Sequence, residues 1–163
     1  MAAADLILSE QDEARLGGLL QMLCEDAKGR AAFLVDRYGR VLAAAGETVG
    51  VDATSLAALT AGSLAAASSL SHLVGENAVR SLHHEGEKED LFISVVAEEA
   101  ILVLHFNRRS SLGLVRLRVR NASRQIASVL TEIAERDSSQ DRAALQEELS
   151  RITDADIDNL FAY

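Results

Sequence analysis

The sequence predicts an α+β fold: a five-stranded antiparallel sheet with helices on both faces, in the order α-β-β-α-β-β-β-α. Three observations predict it. Three segments repeat apolar residues at helical spacing, five short runs carry strand character, and tight polar turns join the strands that follow one another, which makes them antiparallel. At 163 residues, such a domain can bury roughly two-thirds of its unfolded surface.

Taken in order, Ser9 can cap a first helix, with Asp12 three residues on. Leu16, Leu19, Leu20, Leu23 and Ala27 form its apolar stripe. Gly29 is expected to end this helix in the left-handed conformation. AAFLVDRYGRVLAAAG follows, two apolar runs around Asp36-Arg37-Tyr38-Gly39. Gly39 can supply the positive φ of a tight hairpin. From Asp52 to about Gly75 the pattern is helical, with Asp52 or Thr54 as cap, and Leu56, Leu59, Leu70, Leu73 and Val74 are expected to meet the sheet. Three strands are then expected near Val79–Glu85, Leu91–Val96 and Ala100–Phe106, turned by Gly86-Glu87-Lys88 and Ala97-Glu98-Glu99. A third helix is expected from Leu112 to about Ala134, with Val115, Val119, Ala122, Ile126, Val129 and Ile133 in register, although its opening LGLVRLRVR alternates like a strand. The domain reading is a flexible amino terminus at 1–8, a folded domain at 9–137, and a polar tail at 138–163 ending in a short helical motif.

Composition narrows the function. Hydrophobic residues at 48% and charged residues at 25% give a globular balance. A net charge of −9 argues against nucleic acid, whose phosphates need a basic surface, and against an anionic membrane. The single cysteine, Cys24, cannot close an internal disulfide and fits a reducing cytosol. MAAADLILSEQDE lacks the basic and apolar regions of a signal peptide, and no stretch is expected to reach the roughly 20 apolar residues of a membrane span.

Catalytic and metal motifs are missing. The sequence has no phosphate-cradling G-x-x-x-x-G-K-[ST], no G-x-S-x-G and no paired-cysteine metal spacing. His83 and His84 are neighbours on an expected strand, so they point to opposite faces and read as solvated residues rather than a chelating pair. His72 and His105 carry no partner pattern, Glu98-Glu99 reads as a turn, and Cys24 reads as a small core filler. The expectation is a protein that is not an enzyme and uses neither metal nor cofactor.

One surface is anomalous. At about 100° per residue, the face opposite the leucines of the middle helix is Thr54, Ala58, Ala61, Ala65, Ser68, Ser69 and His72. No formal charge falls between Ala53 and Leu73. Solvated helix faces normally carry Lys, Glu or Arg, and charge depletion marks interface cores. Two explanations compete: a helix buried on both sides, which is hard to build with one sheet, and merely an alanine-rich stable helix.

FLVDRYGRVLAAAG, DATSLAALTAGSLAAASSLSHLVGE and ILVLHFNRRSSLGLVRLRVR together resemble the roadblock/dynein light-chain superfamily, and more closely its bacterial MglB-type branch. The resemblance spans about residues 9–136, and DADIDNLF in the tail is similar to the branch's carboxyl terminus. It implies a roadblock-type sandwich and a homodimer formed by packing the middle helices and joining sheets through the next strand. It also implies a partner, a Ras-like small GTPase of the MglA type, seated on the paired helices. GTP hydrolysis would be accelerated without an arginine finger, in the control of cell polarity and gliding motility, in the cytoplasm and at a cell pole. The matching contact positions are Ala58, Ala61, Ala65, Ser68, Ser69 and His72. Asp154, Ile157, Leu160 and Phe161 would form a terminal helical docking motif, the alternative being a disordered acidic solubility tail. Two alternatives stay open: a roadblock scaffold subunit without activating function, and a ligand-sensing module of the PAS or profilin-like kind.

Overall fold

The computed structural model describes residues 7–97 and 100–152. The elements are α1 (Glu10–Ala27), β1 (Ala31–Asp36), β2 (Val41–Gly46), α2 (Ala53–Leu73), β3 (Ser81–His84), β4 (Glu89–Val96), β5 (Ala100–Asn107) and α3 (Leu112–Arg151). This is the α+β arrangement that the periodicities predict. The described residues fall into two compact units, residues 8–129 and residue 7 with 130–152.

In the first unit, a five-stranded antiparallel sheet runs in the order β2-β1-β5-β4-β3. Strand β1, an inner strand paired on both sides, is buried along its whole length, as expected of a strand covered on both faces. Alternation sorts the core. Ala31, Phe33, Val35, Ile93, Ile101 and Val103 face α2 and pack with Ala57 and Leu64. Ala32, Leu34, Phe92, Leu102, Leu104 and Phe106 are buried between them in sequence and so face the other way. There α1 buries Leu16, Leu20 and Leu23, and α3 buries Val115, Val119, Ala122 and Ile126.

Local chemistry explains the boundaries. Ser9 and Asp12 close a reciprocal capping box at the start of α1. The end of that helix departs from expectation. Lys28, not Gly29, takes the left-handed conformation, with φ 52°. Gly29 N–H then reaches back to the Cys24 carbonyl at 2.8 Å. Gly29 is required for space instead, since a Cβ there would lie 2.6 Å from Leu104 Cδ1. At the first hairpin, Asp36 Oδ1 accepts the N–H groups of Tyr38 and Arg40, both at 2.9 Å. Gly39 adopts the expected positive φ of 84°. It also abuts α2, because a Cβ on Gly39 would fall 2.8 Å from Ala58 Cα.

β3 is shorter than the Val79–Glu85 expected, and β4 begins two residues before Leu91. α3 resolves the ambiguity of LGLVRLRVR in favour of helix. Ser111 caps it, its Oγ accepting Leu114 N–H at 3.2 Å, and Val115, Val119, Ala122 and Ile126 supply the buried line. The helix does not stop near Ala134, and passes through Asp137-Ser138-Ser139 to Arg151. Ser139 Oγ donates to the Glu135 carbonyl at 2.8 Å, which lets a serine sit inside a helix. In this second unit Arg136 Nη2 donates to the Ile7 carbonyl at 3.3 Å, and Ile7 N–H donates to Asp137 Oδ2 at 3.4 Å. Leu145, Leu149 and Ile152 are exposed there.

Gly39 and Gly50 share the same positive φ, 84° and 83°, but nothing lies within 4 Å of a Cβ at Gly50. Gly50→Ala should therefore lose only the left-handed penalty of about 1–2 kcal/mol, and Gly39→Ala distinctly more, because the α2 backbone must move. Urea denaturation of the two variants measures the difference.

Candidate functional interface

α2 begins at Asp52, whose Oδ1 accepts Ser55 N–H at 3.1 Å. It then packs on the sheet along one narrow line. Ala57, Thr60 and Leu64 are its buried residues, at i, i+3 and i+7, and Ala53, Leu56 and Ala61 flank them against the same core cluster. The seat is made of small side chains because the helix approaches closely, down to the Gly39–Ala58 contact.

This overturns the expected orientation. Leu59, Leu70 and Leu73 do not meet the sheet and are 71%, 66% and 82% exposed, and Val74 is exposed as well. Large leucines could not fit the close seat that alanine and threonine occupy, so the helix turns them outward. Only Leu56 of that set contacts the core. Of the residues assigned to the interface, Ala58, Ala65, Ser69 and His72 are exposed, whereas Ser68 is half-buried and Ala61 leans on the core. The open face is thus larger than alanine and serine periodicity suggests, and Leu59, Leu70 and Leu73 give it the anchors that it lacked. The signal that could have found them was the line Ala57-Thr60-Leu64, spaced i, i+3 and i+7 and opening with two small side chains.

The open face still carries no formal charge between Ala53 and Leu73. By length and composition alone α2, with 21 residues, is apolar enough to cross a membrane, contrary to the expectation that no stretch would be. Its seat on the sheet gives that apolarity a different use, with one side in the core and the other open. The Asp154, Ile157, Leu160 and Phe161 motif and the Glu98-Glu99 turn lie outside the described residues.

At one edge of the sheet lies β3, and no strand pairs its outer side among the described residues. Its two histidines differ. His84 is exposed as expected, but His83 is not a solvated residue. It stacks on Phe106 with ring centroids 6.0 Å apart, and its Nε2 lies 3.0 Å from Asp90 Oδ2. That hydrogen bond holds the Asp90 carboxyl below the usual carboxylate range. Gly86 N–H also donates to Asp90, at 3.2 Å, so the pair braces the β3–β4 hairpin.

A second polar group clips the strand ends. Arg30 donates to Glu47 Oε2 through Nε and Nη2 at 3.0 and 2.7 Å, and to Glu89 Oε1 through Nη1 at 2.7 Å. His105 Nε2 lies 3.0 Å from Glu89 Oε2. No set of three His, Cys, Asp or Glu among the described residues is placed to hold a metal ion. Burial pushes the Cys24 thiol up to about 11, far from a nucleophile's range.

The Roadblock/LC7 domain family matches residues 19–106. Among solved structures, Myxococcus xanthus MglB is 38% identical, with a TM-score of 0.73 over 78% of this chain and 96% of that one. A structure described as MglB with tetrameric arrangement is 30% identical, with a TM-score of 0.75 over 81% and 99%. The gliding protein MglB of Thermus thermophilus is 32% identical, with a TM-score of 0.72 over 80% and 99%. No curated protein matches the chain significantly.

Core and open face should separate on substitution. Leu64→Ala should cost about 2–5 kcal/mol, the usual loss for a buried leucine. Leu59→Ser and Leu73→Ser should leave the stability of dilute protein within about 0.5 kcal/mol and weaken association instead. Urea titration and light scattering read the two effects.

Proposed function

This chain belongs to the Roadblock/LC7 domain family, and we propose that it is a non-enzymatic homodimeric regulator that binds a Ras-like small GTPase of the MglA type and stimulates its GTP hydrolysis. The observation that carries the reading is the uncharged, leucine-bearing open face of α2, on a chain that matches MglB structures over nearly their whole length. The name of one relative places it in gliding, which supports a role in motility and cell polarity, in the cytoplasm and at a cell pole.

In this reading two copies pack α2 against α2 and continue the sheet through β3, whose free edge can accept a strand. The exposed positions Ala58, Ala65, Ser69 and His72, with Leu59, Leu70 and Leu73, divide between the dimer seam and the GTPase footprint. Ala61 and Ser68 support that face from its sheet-side flank. The tail positions Asp154, Ile157, Leu160 and Phe161 would supply a second, separable contact with the GTPase.

Activation proceeds by population shift. A regulator that binds the hydrolysis-competent GTPase conformation more tightly raises its share, by no more than the difference in affinity. No arginine lies on α2, so the docking helix brings no guanidinium to the nucleotide. The GTPase's own residues then carry the chemistry.

Light scattering should give about twice the 17.5 kDa chain mass. GTP turnover by an MglA-type GTPase should rise when the protein is added. Ala65→Arg should abolish binding, dimerisation or both, because it places an unpaired charge in a close-packed interface. Single Arg→Ala changes at Arg80, Arg108, Arg109, Arg116, Arg118 and Arg120 should each keep most of the stimulation, where loss of a true finger would remove roughly 10³–10⁵ in rate. A monomer, or unchanged turnover with binding intact, contradicts this reading; the second result would make the protein a scaffold.

A further inference from the structure

We propose that the amino-terminal half of α3 is a second docking surface, on the side of the sheet away from α2, and that it takes an acidic helix of a partner protein. The chain carries a net charge of −9, yet the stretch from Leu112 to Thr131 holds four arginines and no acidic residue. Three of them, Arg116, Arg120 and Arg124, are exposed. They recur at i, i+4 and i+8, so they form one stripe about 12 Å long.

None of the three has a hydrogen bond or ion pair with any described residue. Five of the guanidinium groups elsewhere in the fold, those of Arg30, Arg40, Arg108, Arg136 and Arg151, are each paired with a carboxylate. Like charges four residues apart on a helix repel each other. The first turn of α3 carries no acidic residue that would offset them. The stripe therefore opposes the stability of its own helix, and its use lies outside the fold.

The placement is independent of the α2 interface. Val115, Val119, Ala122 and Ile126 are buried, and none belongs to the core cluster that α2 covers. By strand alternation they meet the opposite sheet face, and the arginines point away from them into solvent. A partner held here would leave α2 open, so one copy could hold two proteins at once.

The geometry selects the partner's chemistry. The stripe is one helix wide. On the same side of the sheet, α1 exposes Glu10, Glu13, Glu25 and Asp26, which repel an extended polyanion. A bilayer or a nucleic-acid duplex needs a broad basic surface. An acidic helix presents carboxylates four residues apart with the same repeat as the arginines, and guanidinium forks pair with carboxylates in two-pronged hydrogen bonds. Leu117, exposed beside the stripe, adds an apolar contact for such a helix.

The test uses the full chain and a fluorescent helical peptide of about 20 residues, with Glu at every fourth position and Leu beside them, followed by anisotropy. The wild type should bind it, more weakly as salt rises from about 50 to about 200 mM. Binding by the triple variant Arg116→Gln, Arg120→Gln, Arg124→Gln should fall at least about tenfold, while Ala65→Arg on α2 leaves it unchanged. The triple variant should melt no lower than the wild type. Should it fail to fold, Arg120→Gln alone replaces it and should give a smaller loss of the same sign. The proposal is overturned by a peptide that does not bind, by equal binding to folded wild type and variant, or by a stripe variant that melts well below the wild type. Tighter arginine-dependent binding to phosphatidylcholine–phosphatidylserine vesicles or to a short DNA duplex would also overturn it.

Discussion

The architecture depends on how closely α2 sits on the sheet. Gly39, at the tip of the first hairpin, leaves no room for a Cβ against the Ala58 backbone. Next to that contact small side chains, Ala57 and Thr60, lie underneath, and the larger Leu64 is buried a turn further along. A close helix with a narrow seat has a wide open side. The bulky residues that a looser helix would tuck inward, Leu59, Leu70 and Leu73, are turned to the outside. A contiguous apolar helix face without charge is unusual on a protein surface, and the proposed docking rests on it.

The rest of the first unit supports that face. The fully buried β1 lies near the middle of the sheet and is paired on both sides, so the strand beneath α2 is held by two ladders of backbone hydrogen bonds. At one end, Arg30 links Glu47 and Glu89 and ties the entry of β1 to the exit of β2 and the start of β4. At the edge, His83 and Asp90 brace the short β3. A rigid sheet with one unpaired edge and one open helix suits symmetric self-association. The opposite side, with its unpaired arginine stripe, is electrostatically distinct and can serve a different partner.

Much of this was legible in the sequence, and the exceptions share a cause. Caps and turns depend on neighbours a few residues away, so Ser9 with Asp12, and Asp36 with Gly39, could be read directly. Strand order along the chain followed from short turns. What failed was rotation. Hydrophobic periodicity ranks leucine above alanine and so aimed α2's leucines at the sheet, but helix orientation was decided by the space under α2, a tertiary quantity. Gly29 was misread in the same way, since its lack of a side chain answers to Leu104 across the fold while Lys28 makes the left-handed turn. His83 seemed solvated because Asp90 and Phe106 are distant in sequence. The long α3 was missed because serines signal breaks, and Ser139 is satisfied within the helix. The uncharged character of α2 was visible throughout, although which of its faces is open was not.

The most direct test of the central claim is amide hydrogen exchange of the full-length protein, with and without a GTP-loaded MglA-type GTPase. Amides along α2 and the edge strand β3 should become protected on complex formation, while those of residues 112–129 in α3 keep their free-state rates. Protection confined to α3, with α2 exchanging as in the free protein, would contradict the account.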